Sequence, residues 1–331
     1  MNELSKIGIG LYLGDETEIV DNNLFRVLER SLNTGINIFD CSPSYRNGKS
    51  EKLIGKLIRK YPNKTYNIST KGGFIPFDFS KGEKAENNYI KELIDSNLIK
   101  EELFDQQYFQ TFDVRYLQYS LQKTLENINR DSVEIYYIHN PEYLLERCGR
   151  EIFLNHMRNV FHWIKTEIEN RRILEFGISS WFGFFEREPS KRLQLNDFIN
   201  LSKEIGIRQH FRYIQVPYNF YQTDLLFFKG QEVCNKQISL GSAAEKYNLS
   251  LITSATLNQG RLVNYTFPDK VTKIFPNMTS AQISLAFVLS TPSIKSCLVG
   301  TNSLDHLEEL LVVKERSLYD IKKFIQILRM E

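Results

Sequence analysis

No stretch of the 331 residues is apolar over the ~20 positions that a membrane-crossing helix needs. No apolar signal segment follows the opening MNELSKIGIG, so a cytoplasmic protein is expected. An excess of one charge is also lacking. The 42 basic and 40 acidic side chains leave a net charge of +2, which gives no electrostatic reason to expect nucleic acid or an anionic membrane as partner. Cysteine is sparse: Cys41, Cys148, Cys234 and Cys297 form no CxxC pair and no metal-ligand spacing, so reduced thiols are expected. The five histidines lack any HExxH-like spacing, so a metal hydrolase is set aside and no metal is expected. Fixed-period repeats and low-complexity tracts are absent as well.

What is present is an average globular composition, 42% hydrophobic and 25% charged, able to bury a sizeable core. Short apolar runs of strand length fall at 7–13, 36–40, 66–70, 133–139, 173–179, 211–217, 249–255 and 294–300. Helical patterns separate them near 22–33, 49–60, 113–128, 152–170, 195–205, 239–247, 279–290 and 303–313. The first helix is expected to start at Asp21 or Asn22 as N-cap and to stop at Gly35. Eight βα units with strands apolar on both faces predict a closed α/β fold, the (β/α)₈ or TIM barrel. A doubly wound open sheet is the structural alternative. No GxGxxG follows the first strand, and Gly8 and Gly10 lie within it. No linker-like tract divides the chain, so a single barrel domain over 1–331 is expected, with a long loop at 72–112 and an added helix at 315–331.

Polar residues gather at the predicted C-terminal strand ends. Asp40 ends the second strand, Tyr45 follows five residues later, Lys71 ends the third strand and His139 the fourth. Singly, each has a plain structural role: a cap, a packed aromatic, a solvated charge, a core histidine. In a barrel they converge, and together they make a proton-donating device. An ammonium beside a tyrosine favours phenolate and lowers its pKa, a carboxylate keeps that ammonium charged, and an imidazole orients a substrate oxygen.

The segments INIFDCSPSYRNGKSEKLIG, STKGGF and IYYIHNPE together resemble the signature of the aldo-keto reductases, and the resemblance runs in order to EFGISSW, YIQVPYN, SATLNQGRL and LVGTNSLDHLEELL. The long loop after the lysine points to a bacterial branch of that family. The resemblance implies a catalytic tetrad of Asp40, Tyr45, Lys71 and His139. It implies a cofactor, NADP or NAD, across the barrel mouth. Ser179, Ser180 and Gln215 would meet the nicotinamide carboxamide. Leu257, Gly300 and Thr301 would meet the pyrophosphate and adenosine end, with His306 and Glu309 beyond them. The implied function is NAD(P)H-dependent reduction of an aldehyde or ketone, or the reverse, on a small carbonyl or alcohol substrate.

Four positions depart from the family pattern. Ser180 stands for an asparagine, and Ser254 for an aromatic that stacks on nicotinamide, a part open to Trp181 or Tyr218. His306 stands for an arginine that pairs the 2′-phosphate, and Leu310 for an adenine-binding asparagine. Two alternatives stay open, the first because of these changes and the second because a lysine ends a strand. One is a catalytically weak or inactive cofactor-binding barrel acting as a sensor or assembly subunit. The other is a Schiff-base lyase using Lys71, which requires a neutral amine.

Overall fold

The computed structural model describes residues 3–273 and 275–314. Eight parallel strands close into a barrel: β1 (Ile7–Gly10), β2 (Ile38–Asp40), β3 (Asn67–Gly72), β4 (Val133–His139), β5 (Ile173–Ser179), β6 (Phe211–Pro217), β7 (Ser250–Ser254) and β8 (Ile294–Val299). Each strand pairs with its neighbours in sequence, and β8 returns to β1 through Ile7–Cys297. The helices are α1 (Glu18–Asn33), α2 (Lys49–Lys60), α3 (Glu83–Asp95), α4 (Val114–Ile128), α5 (Glu142–Cys148), α6 (Arg150–Glu169), α7 (Leu195–Glu204), α8 (Leu240–Lys246), α9 (Ser280–Leu289) and α10 (Leu304–Lys314), with shorter turns between. The helix expected at 315–331 lies outside the described residues.

Alternation along the strands divides the core into two parts. Ile38, Ile135, Tyr137, Tyr213, Ile252 and Leu298 fill the barrel interior together with Leu4. Their outward neighbours, among them Phe39, Tyr136, Ile138, Phe176, Ile214 and Val299, pack under the helices. Gly177 makes the interior possible: a Cβ there would lie 2.2 Å from the Tyr213 carbonyl oxygen and 2.9 Å from the Tyr137 ring. Two residues beyond Tyr137 and Tyr213 on the same inward faces come His139 and Gln215, and two beyond Ile38 comes Asp40. The apolar interior is therefore capped by polar side chains at one end.

Helix α1 begins earlier than the sequence suggests. Thr17 is its N-cap, accepting from the Val20 N–H at 3.4 Å, and Asp21 instead pairs with Arg46. Loop 72–112 is structured. It holds α3, a small hairpin pairing Phe104–Asp105 with Gln110–Thr111, and its own apolar cluster of Ile75, Leu93, Ile99 and Phe109 against Tyr116 of α4. Among the described residues, no helix is long and apolar enough to cross a membrane.

Candidate active site

Parallel register places the polar strand ends side by side. Asp40 pairs with Ser69, His139 with Ser179, and Ser179 with Gln215. Lys71 extends inward from the same face of β3 as Ser69, and its Nζ lies 2.5 Å from Asp40 Oδ2 and 3.0 Å from the Cys41 carbonyl oxygen. The other Asp40 oxygen accepts from Ser69 Oγ at 2.7 Å and from Gln215 Nε2 at 2.9 Å. Gln215 Oε1 in turn accepts from Ser179 Oγ at 2.9 Å. One buried network thus runs through Lys71, Asp40, Gln215 and Ser179.

Tyr45 sits over this network. The Lys71 ammonium lies 4.6 Å from its ring centre, and the His139 imidazole stands edge-on to it at 6.0 Å. Its loop is tightly held. Arg46 and Asn47 adopt left-handed backbone angles, φ 52° and 49°. The buried Arg46 guanidinium donates to the carbonyl oxygens of Gly14 at 3.2 Å and Asp15 at 2.8 Å, and pairs with Asp21. These bonds hold an otherwise unfavourable turn and join the loop carrying Tyr45 to the one after β1.

Electrostatics in this pocket follow from burial. Burial alone would depress the Lys71 amine, but Asp40 and then Tyr45 outweigh it, and the group stays above its ordinary value. Burial and the Lys71 charge hold His139 well below its ordinary value, so the imidazole is neutral. Its Nδ1 is buried and has no hydrogen-bond partner. Tyr45 corrects the sequence expectation. Burial pushes its hydroxyl up to about 12; Lys71 opposes this, as expected, and does not prevail. The phenol therefore keeps its proton through neutral pH.

The remaining residues singled out from sequence are spread along the barrel mouth. The Ser180 N–H donates to the Gln215 carbonyl oxygen at 3.0 Å, and Ser180 Oγ accepts from the Gly183 N–H at 3.0 Å. Leu257 precedes a tight turn at Asn258–Gly260. Gly300 packs against β1, where a Cβ would meet the Gly10 carbonyl oxygen at 3.2 Å. Thr301 Oγ1 accepts from the Ser303 N–H at 3.1 Å. His306 is exposed on the first turn of α10. Glu309 is engaged within the protein: it accepts from Thr279 Oγ1 at 2.5 Å, while its carbonyl accepts from Gln282 Nε2 at 2.9 Å. Leu310 is buried in the core. Tyr218, a candidate for stacking on nicotinamide, is instead buried against Phe287 at 5.3 Å and bonded to Thr291. Trp181 stays partly exposed at 38%.

Two residues of consequence escaped the sequence reading. Glu142, in the HNPE segment, is buried and accepts from the Trp181 N–H at 2.7 Å and the Phe182 N–H at 3.2 Å, so it ties the loop after β4 to the loop after β5. Burial raises its pKa, against the N–H groups that favour its charge. Gln110 is buried and donates through Nε2 to the His139 carbonyl oxygen at 2.8 Å and the Asn140 carbonyl oxygen at 3.2 Å. The adjacency of Glu142 to His139 was a usable signal; nothing in the sequence around Gln110 marked it. Among the described residues, no group of three His, Cys, Asp or Glu side chains could hold a metal ion.

The barrel carries Asp40, Lys71, Tyr45 and His139 together at one end, and comparison with known proteins shows the family it belongs to. The model of the aldo/keto reductase family matches residues 6–329, and the chain belongs to that family, whose members use NAD(P)H. A D-threo-aldose 1-dehydrogenase from a Pseudomonas species is 26% identical over 126 residues, 37% of this chain, and the chain spans about a third of that relative, 35% of its length. An aldo/keto reductase from Klebsiella pneumoniae, solved with NADP and acetate, superposes with a TM-score of 0.65 at 15% identity, over 99% of this chain and 91% of the other. The holo form of an aldo-keto reductase from Bacillus halodurans gives 0.66 at 15% identity, over 98% and 92%. At such identities, these superpositions speak for the fold.

Proposed function

We propose that this protein interconverts a carbonyl compound and its alcohol with a nicotinamide cofactor, NADPH or NADH, and that Tyr45 is the general acid of the reduction. The observation that carries the reading is the charged, buried Lys71–Asp40 pair under the Tyr45 ring, with a neutral His139 beside it. The donor set suits a nicotinamide. Ser179 and Gln215 hydrogen-bond each other, yet a serine hydroxyl and a primary amide retain lone pairs and one N–H for a carboxamide. The cofactor, when bound, supplies the hydride.

The chain's own residues supply the rest. Tyr45 gives its proton to the carbonyl oxygen as negative charge develops there. The Lys71 ammonium, held by Asp40, steadies the phenolate left behind. Neutral His139 donates a hydrogen bond to the same oxygen and fixes its direction. Gly300, Thr301 and the turn after Leu257 offer backbone to the remainder of the cofactor, in loops that bind phosphate in many barrels. A Schiff-base role for Lys71 fits this electrostatics poorly, because Asp40 keeps the amine charged. The chain is read as one barrel domain.

The test is turnover of aldehydes with NADPH and with NADH, followed by loss of nicotinamide absorbance, in wild type and Tyr45→Phe. General acid catalysis contributes about 10²–10⁴-fold, so the variant should lose that much kcat and keep its cofactor affinity. Wild-type kcat in the variant would remove Tyr45 from the acid role. Cofactor binding without any turnover would favour a sensor or assembly subunit.

A further inference from the structure

Asp40, Lys71 and His139 stand on barrel strands, and Tyr45 alone stands outside them, on the turn Tyr45–Gly48 between β2 and α2. The histidine is backed further by the Phe74 ring, edge to face at 4.8 Å, and by Gln110 on its carbonyl. A side chain on a turn is held less precisely than one on a strand, so the phenol needs support of its own.

That support lies in the residues after it. Arg46, Asn47 and Gly48 are left-handed in succession, at φ 52°, 49° and 79°. Glycine takes this conformation freely, asparagine tolerates it and arginine resists it. Arg46 is held there by a buried grip on the loop after β1. Its side chain is 2% exposed, with Nε 3.2 Å from the Gly14 carbonyl oxygen, Nη2 2.8 Å from that of Asp15, and a pair to Asp21 of α1. Asn47 Nδ2 donates to Glu16 Oε1 at 2.6 Å, and Lys49 Nζ to the Glu16 carbonyl oxygen. The gripped loop is itself anchored. Gly14 has φ 109° and approaches α1 so closely that a Cβ would lie 2.7 Å from Val20, and Ser50 Oγ of α2 donates to the Leu11 carbonyl oxygen at 2.7 Å. The same loop sets the Tyr12 ring against Tyr45 at 5.2 Å and 70°. The turn after the phenol is thus strapped to a segment that also touches the phenol.

We infer that Arg46 is a positioning residue for the reaction: its guanidinium closes the left-handed turn against the loop after β1 and so seats the Tyr45 phenol over Lys71. The inference rests on the proposed role of Tyr45 as general acid. Glycine at position 46 would make the turn without strain and would leave nothing to hold Gly14 and Asp15. A turn that serves only as a connection would gain by that exchange. A turn that seats a proton donor would lose by it, because a displacement of about 1 Å costs about 10²-fold in rate. Lysine could still pair with Asp21, but it lacks the planar fork that meets two carbonyl oxygens and a carboxylate together. The residues proposed to hold the cofactor, Ser179, Gln215, Leu257 and Gly300, belong to the second half of the barrel, so Arg46 acts on proton transfer and not on cofactor affinity.

Two variants and two readouts test it. Arg46→Gly should lose about 10²-fold in kcat on an accepted aldehyde, with NADH affinity by fluorescence titration unchanged. Arg46→Lys, which keeps the pair with Asp21, should lose less. Both should melt close to wild type, since glycine relieves strain and lysine keeps the charge. The second readout is independent of turnover: NMR of protein isotope-labelled at tyrosine Cζ, with the Tyr45 signal assigned by its absence in Tyr45→Phe. In wild type that signal should keep its protonated position to about pH 11, and in Arg46→Gly it should titrate near ~10, as an exposed phenol does. A wild-type kcat in Arg46→Gly, or an unmoved Tyr45 signal, would overturn the positioning role and leave the carbonyl chemistry standing. Loss of the fold in both variants would overturn it as well, by making Arg46 part of the general core. A shifted Tyr45 signal in Arg46→Gly, with no turnover even by the wild type, would uphold the seat of the ring and refute the proposed function.

Discussion

Lys71 Nζ lies 2.5 Å from Asp40 Oδ2, with both side chains almost wholly excluded from solvent. A buried ion pair is costly to form and more costly to break on one side. Asp40→Asn keeps an oxygen for Ser69 and Gln215 and leaves the Lys71 ammonium without its counter-charge. Such half-broken pairs lose about 3–5 kcal/mol. The variant should therefore unfold at markedly lower denaturant in urea titrations, beyond its loss of activity. Stability within about 1 kcal/mol of wild type would mean that the pair contributes little net.

The hydroxyl of Tyr45 stands at about 12, pushed there by burial over the opposing pull of Lys71. A tyrosine in an unfolded chain titrates near ~10. Between those values the unfolded state loses the proton while the folded state keeps it, so this group lowers stability as pH rises from about 10 to about 12 and has no such effect below. In catalysis, the acid form persists through the same window. The part of the reduction rate that depends on Tyr45 should show no basic limb below about pH 10, as pH profiles of kcat/KM would reveal. A fall between pH 7 and 9 that Tyr45→Phe abolishes would show that Lys71 wins over burial after all.

Gln110 Nε2 bridges the carbonyls of His139 and Asn140 at the loop junction. Gln110→Ala removes this donor from the buried His139 and the partly buried Asn140, at about 1–3 kcal/mol. The cost should appear locally, as faster amide exchange in the segment around Phe74 and Thr111, with the barrel strands unaffected. Gln110→Glu should be no milder, since a carboxylate would face two carbonyl oxygens. If exchange rises equally across the barrel, the clamp is part of the global core instead.

What could be read from the sequence follows from range and parity. Asp40, Lys71 and His139 were legible because each ends an apolar run, and parallel strands bring such ends together. Ser179 and Gln215 came only through the family resemblance, and their mutual hydrogen bond comes with the register. Gln110 and the ring contacts of Phe74 were not legible, because they depend on how loop 72–112 folds back, and no periodicity records that. Tyr218 was misjudged because its ring turns toward Phe287 of α9, a packing choice made 69 residues away. The Tyr45 shift was misjudged because sequence names the neighbouring charge and not the depth of burial.

The proposed cofactor site puts the adenosine end of the dinucleotide at the first turns of α10. NADPH adds a 2′-phosphate, and strong discrimination calls for a cation with a planar fork. No Arg or Lys lies between Gly300 and Val313. Asp305, Glu308 and Glu309 make the segment acidic by sequence, and the structure reduces that effect. Glu308 is paired by Arg30 from α1, and Glu309 is held by Thr279. His306 is exposed beside them. Replacing His306 with Arg should thus meet less repulsion than the sequence suggests. His306→Arg is expected to tighten NADPH binding by about tenfold, the order of one charge-assisted contact, and to leave NADH unchanged, in fluorescence titrations at low and high salt. The gain should shrink at high salt, as it must for an exposed pair. An equal gain for both cofactors would place residue 306 on the shared part of the dinucleotide. No gain for either would place the phosphate away from α10, where a basic residue on another loop must meet it.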